Sequence, residues 1–339
     1  MMAAGSDAVA GHRETVRAFA RPGGALAADS PTVTMNNPAW FRPATGITAA
    51  GRIALHDRLI AECREQHAQA RHDQRAIVLA GPPGAGKSTV LRTEVLGADQ
   101  AAWLTIDADE FKRALLREAI ADGSYDSFIK PAQVKEREVA GERFFPLELA
   151  SLVHEESSML AKRQLQREAI AEGTNVVIDT VLSKPDQAVS LGERLAGAGY
   201  TVEVIDVEVP FELSAARIEK RWHESYEEAL ETGDGLGGRW VPSGYACEVF
   251  FGSDGRSKPE ESARLLAHAC AAVLRYRVFR TPGEGAERVV ETDVGRVKTG
   301  GQLLEYGLVE IARRAEVSRA KSHVKRPGPG RPSRGAGRE

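Results

Sequence analysis

Two spacings of apolar residues alternate along the chain. Short, mostly apolar runs that are typical of buried strands occur at Ala76–Ala80, Ala101–Ile106, Asn175–Ile178 and Val202–Val209. Apolar residues recur at helical spacing in the stretches Ser88–Leu96, Glu110–Ala121, Leu149–Glu172 and Pro185–Ala198. Apolar strands that alternate with helices indicate a mostly parallel sheet covered by helices on both faces. We therefore predict an α/β fold.

The regions on either side of this alternating core have different patterns. The start of the chain is rich in Ala, Gly, Pro and Thr, whereas its end is basic and rich in Pro and Gly. Two late segments, Tyr276–Thr281 and Glu287–Thr292, are separated by a Pro-Gly turn and predict a hairpin. The predicted units are a partly disordered N-terminal arm at 1–50, the main domain at 51–245, a C-terminal α/β extension packed on it at 246–320, and a disordered basic tail at 321–339.

Composition narrows the classes of function. The 339 residues carry a formal net charge of −3, so no overall field draws the protein to nucleic acid or to membranes. The three cysteines, Cys63, Cys247 and Cys270, are far apart, which argues against a disulfide framework and against a cysteine metal site. No apolar run is long enough to span a bilayer, and we expect a cytoplasmic protein. For the basic tail, a solubilising role is favoured over contact with a DNA minor groove.

One glycine-rich stretch carries a specific chemistry. Gly81-Pro82-Pro83-Gly84-Ala85-Gly86-Lys87-Ser88 follows the first strand and opens the next helix, and it fits the pattern G-x-x-x-x-G-K-[ST]. Glycine allows the backbone angles by which several N–H groups converge on phosphate oxygens, and the helix that follows directs its positive end at the same anion. Lys87 is expected to reach the β- and γ-phosphates, and the Ser88 hydroxyl to bind Mg²⁺. The motif predicts a P-loop NTPase fold with ATP and Mg²⁺ at Gly81 through Thr89, and it leaves the phosphoryl acceptor open.

Two aspartates follow the second predicted strand. A kinase needs a carboxylate near the acceptor hydroxyl to take its proton, and Asp107 and Asp109 are placed for this at the end of a strand beside the phosphate loop. One of them can face the metal, which we assign to Asp107, and the other the acceptor. Asp109 can equally be the N-cap of the helix that starts near Glu110.

The combined motifs resemble the zeta toxin family. They comprise the phosphate loop, Ile106-Asp107-Ala108-Asp109-Glu110-Phe111-Lys112, the helix start at His154-Glu155-Glu156, Asn175 through Asp179, Gly199-Tyr200, and Val209-Pro210 through Glu219-Lys220-Arg221. The resemblance covers residues 75–245. It implies a kinase that phosphorylates the 3′-hydroxyl of UDP-N-acetylglucosamine, with a protein antitoxin as a possible partner.

The resemblance also implies roles for single residues. The catalytic base falls on Asp109 and the phosphate-stabilising cations on Lys87, Arg221 and Arg239. The sugar-binding residues fall on Asp179 with its neighbour Thr180, and on Glu155 or Glu156. This chain departs from the family where Asp179-Thr180-Val181 replaces an acid-Gly-Thr sequence and where Leu191 is apolar. These departures keep a different small alcohol, such as a metabolite, an antibiotic or a nucleotide, open as the acceptor.

Several residues have a plainer interpretation. Arg217 and Arg221 are four apart and share a helix face, which for Arg217 indicates a solvated surface rather than a site. Asp179 can orient Mg²⁺ instead of a sugar. Glu155 and Glu156 can be ordinary carboxylates at a helix start. A P-loop module that only binds or slowly hydrolyses nucleotide also fits the loop itself.

Overall fold

The computed structural model describes residues 2–42, 47–233 and 235–324. Its centre is a seven-stranded sheet with the strand order β4-β5-β3-β6-β7-β8-β9, and a two-stranded ribbon, β1–β2, lies apart from it. The strands are β1 Phe41–Arg42, β2 Ile47–Thr48, β3 Arg75–Ala80, β4 Leu104–Ile106, β5 Val176–Asp179, β6 Thr201–Glu208, β7 Val273–Arg280, β8 Val289–Gly295 and β9 Leu304–Glu305. The five strands β4, β5, β3, β6 and β7 pair in parallel in that order. Strand β8 pairs antiparallel with β7, and β9 pairs antiparallel with β8. The predicted α/β fold with a mostly parallel sheet is confirmed.

The helices lie on both faces of this sheet. They are α1 Met2–Phe19, α2 Ala50–Gln66, α3 Lys87–Val90, α4 Ala108–Ala121, α5 Ala132–Val139, α6 His154–Ser158, α7 Gln166–Ala171, α8 Pro185–Gly197, α9 Phe211–Thr232, α10 Ser243–Glu248, α11 Lys258–Ala269 and α12 Tyr306–Val324. None of them is both long enough and apolar enough to cross a bilayer, among the residues that the structure describes. The predicted helix Leu149–Glu172 consists of successive turns of 3₁₀, α, π and α type.

Strand β3 shows why the sheet is covered on both faces. Its alternate residues enter two separate cores: Val78 and Ala80 pack into the larger one, whereas Ile77 and Leu79 pack into the smaller one. Side chains alternate between the two faces of a strand, so a strand buried on both faces is apolar throughout. This central position places the end of β3, where the phosphate loop begins, in the middle of one sheet edge.

The N-terminal region, predicted as a partly disordered arm, includes a helix that packs on the main domain. Helix α1 buries Val9, His12 and Val16, which recur at helical spacing, and Ala20 directly after the helix is also buried. Further along, Leu26 and Val33 enter the larger core. The face includes a histidine and is otherwise made of small residues, so an apolar pattern alone did not identify it.

The C-terminal extension continues the main sheet. Strand β7 pairs in parallel with β6, and it pairs antiparallel with β8, which confirms the predicted hairpin. The predicted disordered tail at 321–339 starts within α12, and residues 325–339 lie outside the described residues.

Candidate active site

The phosphate loop connects β3 to α3 and has the backbone that its glycines predict. Gly81, Gly84 and Gly86 have φ angles of 132°, 74° and 91°. A side chain at Gly84 would meet the backbone oxygen of Ser214 at 2.8 Å, and one at Gly81 would overlap the backbone oxygen of Val207. Only glycine combines a positive φ with so close an approach of another backbone. The loop is therefore held in shape by its own sequence and by the elements packed on it.

Lys87, Ser88 and Thr89 directly follow the last glycine of the phosphate loop. The Nζ of Lys87 donates a 3.0 Å hydrogen bond to the backbone oxygen of Gly81 and lies 3.9 Å from Oδ1 of Asp179. Ser88 and Thr89 are exposed in the first turn of α3. This arrangement leaves the ammonium group and the N–H groups at the helix start available for an anion.

Two carboxyl groups lie at the ends of strands on one side of the phosphate loop. Asp179 ends β5, which is next to β3, and Asp107 follows β4, which is next to β5. The prediction that the strand before the two aspartates neighbours the phosphate-loop strand is therefore wrong, because β5 lies between them. Burial raises the pKa of Asp179, which the charge of Lys87 partly offsets. Burial, followed by the charges of Asp179 and Glu110, raises the pKa of Asp107 to about 6. Two desolvated carboxylates that repel each other form an environment that a cation stabilises.

The donor chemistry at this edge fits Mg²⁺. The described residues contain no group of three or more His, Cys, Asp or Glu side chains that could hold a metal ion by themselves. Magnesium in phosphotransferases needs no such cage, since it is held by one or two carboxylates or hydroxyls together with substrate phosphates and water. Ser88, Asp107 and Asp179 can supply those protein ligands.

Asp109 is not the cap of helix α4. That helix starts at Ala108, and Asp107 is its N-cap, with Oδ1 accepting a 2.8 Å hydrogen bond from the backbone N–H of Asp109. The prediction that Asp109 can be the N-cap of this helix is therefore wrong, because Asp107 is the N-cap. The carboxylate of Asp109 instead accepts a 2.9 Å hydrogen bond from Nζ of Lys112 and is bound by Nη1 of Arg239.

The two cations that contact Asp109 come from different parts of the chain, one near Asp109 in sequence and one far from it. Arg239 lies in the segment after α9, and Lys112 is one turn along α4. Lys112 is almost fully buried. Burial lowers the pKa of Lys112 to about 8, although the nearby charge of Asp107 opposes this shift. A lysine that is desolvated and held against a carboxylate fixes the position of that carboxylate at the start of α4, two strands from the phosphate-loop strand.

Helix α9 packs its first turns against the phosphate loop. The hydroxyl of Ser214 donates a 2.6 Å hydrogen bond to the backbone oxygen of Pro83. Nη1 of Arg217 lies 3.4 Å from the backbone oxygens of both Gly84 and Ala85 and donates to them. The solvated surface predicted for Arg217 is thus wrong. Arg221 lies one turn further and has no carboxylate partner among the described residues.

The two glutamates proposed for the sugar have opposite environments. Glu156 is fully buried and accepts hydrogen bonds of 2.6 and 2.8 Å from Arg52 and one of 2.7 Å from His56. Its carboxylate is thus occupied inside the protein, and the assignment of Glu156 to substrate binding is corrected. Glu155 is exposed on α6.

The two departures from the family pattern also differ. The hydroxyl of Thr180 accepts a 3.2 Å hydrogen bond from the backbone N–H of Leu182, directly after the end of β5. Leu191 is buried in the larger core, on α8. Only the change at Thr180 therefore lies next to the candidate site.

Sequence reasoning missed two residues of this site, Lys112 and Arg217. Lys112 belongs to the quoted Asp-x-Asp-Glu-Phe-Lys segment, three positions after Asp109, and this helical spacing was the available signal. The contact of Arg217 depends on how α9 crosses the loop, which no local pattern reveals.

The chain is similar to a known protein family. The zeta toxin family model matches residues 137–272. The matched segment includes Asp179, Arg221 and Arg239, and it begins after the phosphate loop and Asp109. The match confirms the resemblance that the sequence motifs indicate. No match was found among curated proteins.

Solved structures of one protein complex share the fold at low sequence identity. A complex of AvrRxo1-ORF1 with AvrRxo1-ORF2, crystallised with sulphate ions, has a TM-score of 0.53 and 21% identity over 77% of this chain and 71% of that chain. The same complex with ATP has a TM-score of 0.51 and 20% identity over 78% and 72%. A structure from the PezAT chromosomal toxin-antitoxin system of Streptococcus pneumoniae has a TM-score of 0.46 and 16% identity over 71% and 81%.

Proposed function

We propose that this chain, which resembles the zeta toxin family, is an ATP-dependent kinase that phosphorylates the 3′-hydroxyl of UDP-N-acetylglucosamine. The observation that carries the kinase assignment is the carboxylate of Asp109. It is held by Lys112 and Arg239 at the same sheet edge as the phosphate loop. A carboxylate held in this position can take the proton of an acceptor hydroxyl, which is the role that transfer to an alcohol requires.

The proposed reaction divides the work among these residues. The backbone of the loop and Lys87 hold the β- and γ-phosphates, and the carboxylate of Asp109 takes the proton of the acceptor hydroxyl as the phosphoryl group arrives. Arg221 and Arg239 offset the charge that spreads over the equatorial oxygens during transfer. Ser88, Asp107 and Asp179 would hold Mg²⁺, which would supply further charge neutralisation when bound.

Support for ATP as the donor comes from two sources. The loop carries the nucleotide-binding pattern at Gly81 through Thr89, and a solved complex with the same fold was crystallised with ATP. That relative was also crystallised together with a second protein, AvrRxo1-ORF2. We infer that this chain likewise has a protein partner of the antitoxin kind.

The direct test is incubation of the purified protein with ATP, Mg²⁺ and UDP-N-acetylglucosamine, followed by mass spectrometry and ³¹P NMR. We expect a product heavier by one phosphoryl group, with the phosphorus coupled to the sugar's 3′ proton. The Lys87→Ala variant should give none of it. If the wild-type reaction gives no such product and ATP stays intact or is only hydrolysed, UDP-N-acetylglucosamine is not the acceptor.

A different small alcohol is the second candidate acceptor. The observation that favours it is Thr180, which stands at the end of β5 beside Asp179 where the family pattern has glycine. A panel of metabolites, nucleotides and aminoglycosides, each incubated with γ-labelled ATP and the protein, tests this alternative. Label transfer to a panel member but not to the nucleotide sugar would establish it.

A further inference from the structure

A third arginine stands beside the phosphate loop, and it comes from the C-terminal extension. A methyl group placed on the α-carbon of Gly86 would lie 3.4 Å from Nη2 of Arg288 and 4.0 Å from Nη1 of Arg217. The two guanidinium groups thus flank the residue that immediately precedes Lys87. Arg217 is already bonded to the loop backbone, whereas Arg288 reaches it from another part of the sheet.

The hairpin that carries Arg288 is anchored to the sheet. Arg288 directly precedes β8, and the hairpin starts at the end of β7, where the N–H of Thr281 donates a 3.0 Å hydrogen bond to the backbone oxygen of Glu208. Arg280 fixes the same end through a 3.0 Å bond to Glu260 on α11 and a 2.8 Å bond to Glu291 on β8. The position of Arg288 near the loop is therefore set by the strand pairing and not by its own side chain alone.

Arg288 has no internal counter-charge. No carboxylate forms an ion pair with it, and its buried Nε has no hydrogen-bond partner, among the residues that the structure describes. Its acidic loop neighbours, Glu284 and Glu287, are exposed. A guanidinium that is partly desolvated without a partner costs free energy, and a bound anion removes that cost.

The order of the strands places this arginine opposite the candidate base. In the strand order β4-β5-β3-β6-β7-β8, the phosphate loop follows β3. Asp109 follows β4 on one side of the loop, and Arg288 lies in the turn between β7 and β8 on the other side. One side of the loop thus holds the acceptor carboxylate, and the other side holds two cations.

We propose that Arg288 binds the phosphate chain of the bound nucleoside triphosphate, so that the C-terminal extension completes the nucleotide site. This proposal rests on the proposed function for its ligand, ATP. With Arg217, Arg288 neutralises the side of the phosphate chain that faces away from the acceptor. The geometry gives the extension a part in the site that the phosphate-loop motif does not include.

The test measures ATP affinity by isothermal titration calorimetry in the presence of Mg²⁺, on the full chain. We expect Arg288→Gln to weaken ATP binding by about 10- to 100-fold, the usual effect of losing one charge-assisted contact. Arg288→Lys should fall between the variant and the wild type, because a lysine keeps the charge and loses the planar fork. Arg314→Gln is the matched control, since α12 packs on β8 and β9 at the far edge of the sheet.

Two comparisons keep the outcomes apart. Wild-type protein that binds ATP and phosphorylates UDP-N-acetylglucosamine, together with a Lys87→Ala variant that does neither, retains the proposed function whatever Arg288 does. In that case, Arg288→Gln protein with wild-type affinity, wild-type single-turnover rate and an unchanged melting temperature would overturn the proposal for Arg288. If the wild-type protein itself fails to bind ATP, both proposals are overturned.

Discussion

The guanidinium of Arg239 is bound to the carboxylate of Asp109. Arg239 lies in the segment after α9, and Asp109 lies in the first turn of α4, so this contact joins the acceptor side of the loop to a distant part of the chain. Lys112 bonds to the other oxygen of the same carboxylate. If Asp109 is to accept a proton from the acceptor, Arg239 has to turn toward the transferring phosphoryl group. The pair thus links the proposed base to a proposed phosphate-stabilising residue.

Replacing Asp109 with asparagine is expected to lower the rate of phosphoryl transfer by at least about 100-fold, because the amide cannot take the proton. ATP binding should remain, since Asp109 is not part of the phosphate loop. Calorimetric ATP titration together with single-turnover transfer measures both quantities. Glu110→Gln is the neighbouring control, because Glu110 is exposed, pairs with Arg113 on the surface of α4 and does not contact Asp109 among the described residues. An Asp109→Asn variant that turns over ATP at the wild-type rate would favour a binding or hydrolysing module over a kinase.

Substitutions of the two adjacent glutamates of α6 should differ strongly in their effect on stability. Glu156→Gln removes the charge that neutralises the buried Arg52, which we expect to lower the free energy of unfolding by about 3 kcal/mol or more. Glu155→Gln should leave stability within about 0.5 kcal/mol of the wild type, because Glu155 is exposed. Urea denaturation followed by fluorescence gives both values. Equal destabilisation by the two substitutions would contradict the buried pairing of Glu156.

The sheet and the phosphate loop could be predicted because their information is local. Strand β3 is buried and apolar from Ala76 to Ala80, and the angles of Gly84 and Gly86 follow from the loop motif. The helix start at Ala108 was missed by two residues because either aspartate fits an N-cap, and only the three-dimensional structure distinguishes Asp107 from Asp109.

The contacts that could not be predicted join residues far apart in sequence. Arg52 and Glu156 are 104 positions apart, and Arg217 is 133 positions from Gly84. A buried charge and an exposed charge look the same in a sequence, so Glu156 could not be told from Glu155. The buried face of α1 was missed for the related reason that it includes His12, whose partners lie more than a hundred residues away.

The pKa of Asp107 predicts a stability cost at the candidate site. Burial and the charge of Asp179 raise this pKa to about 6, so the ionised carboxylate is less stable in the folded protein than in the unfolded chain. The cost develops as the pH rises from the ordinary Asp value of about 4 to about 6, and it is fully present above that range. Asp107→Asn should therefore raise the melting temperature at pH 7.5 by about 2–4 °C while keeping the helix cap.

Differential scanning calorimetry of both proteins at pH 4 and pH 7.5 checks this. The gain in melting temperature should become small at pH 4, where the carboxyl group is protonated in the folded protein and only about half ionised in the unfolded chain. Mg²⁺ with ATP should stabilise the wild type more than the variant, because the variant lacks one of the proposed ligands. A variant with the same advantage at both pH values would show that the raised pKa is not the cause.

His12 is expected to make the docking of α1 depend on pH in the opposite direction. Burial alone would lower the pKa of His12, but hydrogen bonds and charges from Glu148 and Glu142 outweigh it and raise the pKa above the ordinary value of 6.5. The two ring nitrogens lie 2.7 Å from Glu142 and 2.9 Å from Glu148, and the latter also accepts a 3.0 Å bond from Trp222. The charged imidazole therefore ties α1 to the main domain.

A raised histidine pKa stabilises the fold fully below about pH 6.5, and the contribution is lost as the pH rises through the folded-state value. We expect the difference in melting temperature between the wild type and His12→Gln to be largest at pH 6 and to shrink by pH 9. Using the difference between two proteins cancels the other groups that titrate in this range, including Lys112. The variant should also expose α1 to limited proteolysis at pH 6, where the wild-type helix stays protected. A difference that is constant from pH 6 to pH 9 would mean that the imidazole acts through packing against Tyr226 and Trp222 and not through its charge.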